Sequence, residues 1–123
     1  MTIDPTTATI DECRDWLTRR AGWEKVTNST RSWWYWHIPG VTTTINYYKH
    51  PIPETLDAAA EAMPSGWWWC VEFYKGVVRV GANTQDRKRV VPAFDCDNEL
   101  LARFRLAVAC CMVDDAARKE RGE

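Results

Sequence analysis

The stretch "WWWCVEFYKGVVRVGA", residues 67–82, decides the fold. Lys75-Gly76 separates two runs rich in aromatic and β-branched residues, which predicts a hairpin with strands at 67–74 and 77–82. Successive side chains on a strand point to opposite faces, so Trp67 and Trp69 point one way and Trp68 the other. A one-sided sheet would alternate aromatic with polar residues. Here both faces carry indole, so a second layer of protein, a partner or a ligand has to cover the other face.

A second aromatic burst lies upstream. "SWWYWH" (32–37), Pro39-Gly40 and "VTTTINYY" (41–48) predict another hairpin. The strand period places Trp34 with Trp36 on one face and Trp33 with Tyr35 on the other. Residues 90–94, "VVPAF", predict a fifth strand, and Pro92 sends it to a sheet edge because proline cannot donate to the ladder.

Helical spacing fills the rest. Thr9 to Glu12 has the form of a capping box, and Ile10, Cys13, Trp16 and Leu17 make an apolar stripe over residues 10–21. Pro53 in a first turn, a stripe of Leu56, Ala59, Ala60 and Met63, and a stop at Pro64–Gly66 predict a short second helix. Asp97 is expected to cap a long third helix with buried Leu100, Leu101, Phe104, Ala107, Val108, Cys111 and Met112. Residues 1–8 read as a loose lead-in and 116–123 as a frayed polar end of one domain, residues 1–123. The order αββαββ(β)α predicts an α+β fold: a three-layer α/β/α sandwich with a four- or five-stranded, largely antiparallel sheet and three helices. The long helix and the first helix are expected on one face of the sheet and the short helix on the other, leaving that face thinly covered.

Composition narrows function. Sixteen basic and seventeen acidic residues give a formal charge of −1, which argues against a binder of long nucleic acid. No apolar run reaches the roughly 18 residues of a membrane span, so a cytoplasmic protein with no membrane partner is expected. Five cysteines (Cys13, Cys70, Cys96, Cys110, Cys111) without C-x-x-C spacing read as reduced thiols. No nucleophile, phosphate-loop or zinc signature is present, and neither a metal nor a cofactor is implied. His37 and His50 adjoin strand ends, and Asp95-Cys96-Asp97 lies at a helix start, where capping explains it better than a metal does.

The first helix ending near a tryptophan, the tryptophan-rich strand, "HPIPETLDAAAEAMPSGWWW" and "NELLARFRLAVACCM" together resemble small phage and prophage proteins with an ABA-sandwich domain, over about residues 10–115. The resemblance implies a fold and a viral origin, with function in a host cytoplasm, and no catalytic residues. The leading expectation is therefore a non-enzymatic phage protein that antagonises host antiviral defence by sequestering a small nucleotide-type signal. Stacking on Trp34, Trp36, Tyr48 and His50 would combine with charge from Arg79, Arg87, Lys88 and Arg89. The alternatives are inhibition of a host defence protein through the aromatic face, and a small hydrolase with an unmarked acid–base pair. A thinly covered aromatic face also predicts a homodimer or larger assembly.

Overall fold

The computed structural model describes residues 3–41 and 44–122. Helix α1 (Ile10–Arg20) starts at the expected box: the Glu12 N–H donates to the Thr9 hydroxyl and the Thr9 N–H to the Glu12 carboxylate, both at 3.1 Å. Strands β1 (Glu24–Thr27), β2 (Trp34–His37) and β3 (Ile45–Tyr47) follow. Helix α2 (Leu56–Glu61) is capped by Thr55, so Pro53 precedes the helix instead of opening it. Strands β4 (Trp67–Tyr74), β5 (Val77–Thr84) and β6 (Val90–Cys96) lead to helix α3 (Glu99–Glu120). Its cap is Asn98, whose Oδ1 accepts the Leu101 N–H at 2.8 Å, not Asp97.

The protein is α+β with three helices, but the single four- or five-stranded sheet is replaced by two antiparallel sheets of three strands, β1-β2-β3 and β4-β5-β6. Two features account for the split. Strand β1 is short and half-charged, so it lacked the apolar alternation that marks a strand. Strand β3 ends within three residues, where Tyr48 takes a left-handed φ of 52° and the segment through Pro51 and Pro53 is no longer strand. Of the expected strand 41–48, Thr42 and Thr43 lie outside the described residues.

The layers are rearranged as well, with a helix at the centre where the sequence suggested a sheet. One side of α3 (Ala102, Leu106, Ala109, Cys110) packs on Trp67, Val78, Val80, Ala82 and Val91 of the second sheet. Its other side (Phe104, Ala107, Val108, Cys111) packs on Cys13 and Leu17 of α1 and Ala59 of α2. Small residues along α3 allow close approach on both sides. The ends are more ordered than expected. Asp4 accepts from the Thr6 N–H and hydroxyl at 2.9 and 2.7 Å, Ala8 is buried with its carbonyl bound by Arg105, and the last helix stays helical to Glu120. Met1, Thr2 and Glu123 lie outside the described residues.

Candidate functional site

The second sheet has one packed face and one bare one. A two-residue turn with Lys75 at φ 49° and Gly76 at φ 80° joins β4 to β5, and it sets the register Glu72↔Arg79 and Trp68↔Asn83. Trp67, Val71, Val78, Val80 and Ala82 therefore face α3, and the Trp67 indole N–H donates to Asp114 at 3.0 Å. Trp68, Cys70, Glu72 and Tyr74, with Val77, Arg79, Gly81 and Asn83, point the other way. No described element packs on them, and Trp68 and Tyr74 are 55% and 66% exposed.

This outer face carries two adjoining depressions. A basin of about 660 Å³ is lined by Glu72, Tyr74, Lys75, Val77, Arg79 and Asp95. A trough of about 360 Å³ runs along Trp68, Cys70, Gly81, Val90, Pro92 and Ala93. Gly81 keeps the trough floor low: a Cβ there would lie 3.3 Å from the Ala93 backbone. At the basin centre Arg79 grips Asp95 in a fork, Nε–Oδ1 2.8 Å and Nη2–Oδ2 3.3 Å. The hydrogen bond from Arg79 holds the Asp95 carboxyl below the usual carboxylate range, and the same bond raises Arg79, so both are charged at neutral pH.

The residues expected to form one aromatic and cationic cluster divide between the two sheets. Trp34, Trp36, Tyr48 and His50 do come together, on the α1 side of the first sheet. Trp36 is fully buried, with its ring centroid 5.1 Å from that of His50, and Arg19 and Lys25 stand 5.3 and 5.8 Å from its ring. Trp34 meets Tyr48 edge-on at 5.6 Å and takes Lys25 on its face at 5.1 Å. Arg79 is on the other sheet, gripped by Asp95. Arg87, Lys88 and Arg89 sit in the β5–β6 turn, where the Lys88 N–H binds Asp86 at 3.0 Å and the Arg89 N–H binds Thr84 at 3.1 Å.

Which side of the first sheet is accessible is thereby corrected. Trp36 is core, and the outward set is Trp33 with Tyr35, joined by His37 and Tyr47. Trp33 stacks on Tyr35 at 6.2 Å with planes 13° apart, and Tyr35 meets Tyr47 at 5.3 Å.

His50 is committed structurally. Its Nε2 is 2.8 Å from Asp15 and its Nδ1 accepts the Ile52 N–H at 3.1 Å, so the N–H is on Nε2 and no lone pair is left to act as a base. Burial lowers its pKa, outweighing the bond to Asp15, and keeps the ring neutral at pH 7. Among the described residues no three His, Cys, Asp or Glu side chains converge as a metal site, and no helix is long and apolar enough to cross a membrane.

Asp15, Arg19 and Lys25 escaped the sequence reading, and Asp95, read there as part of a helix start, lies in β6 as the partner of Arg79. Only the Glu72–Arg79 neighbourhood was countable, because a two-residue turn fixes which residues face each other; the others depend on long-range packing. No family model, no curated protein and no solved structure matches the chain.

Proposed function

We propose that the chain is a non-enzymatic binding protein that docks a protein partner on the outer face of its second sheet. The carrying observation is the character of that face: exposed aromatic and aliphatic side chains surround a charge-paired Arg79–Asp95 centre on two adjoining open depressions. Aromatic residues and arginine are the groups that protein interfaces favour at their centres. A phosphate would have to displace Asp95 from Arg79 beside a second carboxylate, Glu72, so a protein surface suits the basin better than a nucleotide does. The resemblance to phage sandwich-domain proteins supports a host protein as the partner, and inhibition of a defence protein as the outcome.

Nucleotide capture retains one supporting observation, the outward stack of Trp33 and Tyr35 with Tyr47 beside it, which offers flat rings to a base. The readings separate by mutation. A pull-down from host lysate with Arg79→Ala, Val90→Lys should lose the band the wild-type chain retains, while Trp33→Ala keeps it and a nucleotide panel leaves the melting temperature unmoved. Stabilisation by a nucleotide, abolished by Trp33→Ala, would replace the proposal with the second reading.

A further inference from the structure

Sheet edges are hazards that proteins blunt with short strands, charges, prolines and bulges. Three of the four edges here are treated in this way. Strand β1 has four residues, among them Glu24 and Lys25, and β3 has three. Strand β6 carries Pro92 and a register shift opposite Val80 and Ala82. The fourth edge, β4, is eight residues long with no proline, no bulge and one charge, Glu72.

The backbone groups at that edge can be located. The two-residue turn closes on the Tyr74–Val77 pair, and beyond the strand's other end the Gly66 carbonyl accepts the Gln85 N–H at 3.0 Å. Even-numbered residues therefore bond to β5, and the N–H and C=O groups of Trp67, Trp69, Val71 and Phe73 point away from the sheet. None of these has a protein partner among the described residues.

We infer that β4 pairs antiparallel with β4 of a second copy about a two-fold axis at Val71, joining the two outer faces into one six-stranded sheet. Self-complementarity selects both the occupant and the register. Pairing at Val71 sets Trp68 opposite Tyr74 of the partner subunit and Trp69 opposite Phe73 of the partner subunit, so every exposed ring on β4 meets another ring. Glu72 falls opposite Cys70 of the partner subunit. Centring on Glu72 would oppose two carboxylates, and centring on Cys70 would set Trp68 against a carboxylate.

The area is adequate. Trp68, Trp69, Phe73 and Tyr74 are 37–67% exposed. With about 150–250 Å² per ring, covering them on two copies removes up to about 900 Å², close to the ~1,000 Å² of a specific interface before the strand backbones are counted. Because β6 is protected, growth stops at two copies. The pairing shares Trp68 and Tyr74 with the outer face but uses neither Arg79 and Asp95 nor Val90, so it stands whether or not that face binds a partner.

The test is mass and cross-linking on the full chain. Light scattering in the upper micromolar range should give twice the 14.2 kDa of one chain. Val71→Pro deletes an edge N–H without touching the β4–β5 ladder, and it should give a folded species of single-chain mass. Glu72→Cys, treated with oxidised glutathione, should give a covalent dimer through Cys70 of the partner subunit. The wild-type chain and the Cys70→Ser, Glu72→Cys double variant should not, because their thiols lie on a diagonal of about 7–8 Å. A wild-type mass of one chain, open-ended assemblies, a folded Val71→Pro that remains dimeric, or a dimer that Glu72→Cys fails to lock would each overturn the proposal. If Val71→Pro does not fold, the cross-link decides.

Discussion

Replacing Trp36 by alanine probes the tightest prediction of the structure. The side chain is fully buried between His50, Arg19 and Lys25. Truncating a buried aromatic residue costs about 3–5 kcal/mol, and losing its ring pair adds roughly 0.5–1.5 kcal/mol. Against that, the indole Nε1 is buried without a partner, and removing such a group returns about 1–3 kcal/mol of desolvation penalty. The net expectation is about 3 kcal/mol, a fall of roughly 10 °C or more in melting temperature for a domain of this size. Trp36→Phe removes the unpartnered N–H while keeping most of the apolar area, so it should cost under about 1.5 kcal/mol. Trp33 is 43% exposed on the opposite face, and Trp33→Ala should cost about 1 kcal/mol or less. Urea melts of the three variants measure these differences. Equal losses for Trp36→Ala and Trp33→Ala would refute the assignment of faces, and a Trp36→Phe loss as large as that of the alanine variant would refute the account of the orphan N–H.

Burial pushes the thiols of Cys13 and Cys110 up to about 12 and that of Cys111 to about 11, while Cys70 lies exposed on the outer face. A thiol reagent near pH 8 should label Cys70 rapidly in the native protein and all five cysteines after denaturation; two fast native thiols would contradict the packing. The folded-state pKa of His50 is depressed, so the unfolded chain binds its proton more readily. Stability should therefore decline as pH falls below the unfolded value of about 6.5 toward the lower folded value, and melting temperatures at pH 7.5 and 5.5 should show this loss, reduced in His50→Asn. Thr9→Ala breaks a reciprocal cap and should cost about 1 kcal/mol in a chemical melt, against a few tenths for Thr9→Gly.

Local chemistry was legible in the sequence and distant packing was not. The capping box, the Lys75-Gly76 hairpin and the edge position of Pro92 follow from residues within a few positions of one another, and all three are present. The division of "SWWYWH" into two faces was also readable, since the strand period alone fixes it. Which face is buried was not, because Arg19 and His50, the latter bonded to Asp15, reach Trp36 from distant segments. Strand β1 was invisible for a related reason: "EKVT" is held by its pairing with β2 and has little apolar pattern of its own. The two sheets were read as one because antiparallel hairpins advertise their own pairing and say nothing about which hairpin lies next to which.

The isolation of the first sheet has a consequence for how the molecule opens. The second sheet and α3 share a continuous apolar layer, whereas the short strands β1–β3 are pinned to the body through the Trp36 ring and the His50–Asp15 bond. Segments with few buried contacts open at lower free energy than the rest of a domain. The first sheet is thus expected to open before the block built on α3 does, and such an opening would bring into water the Trp36 indole that the closed molecule buries.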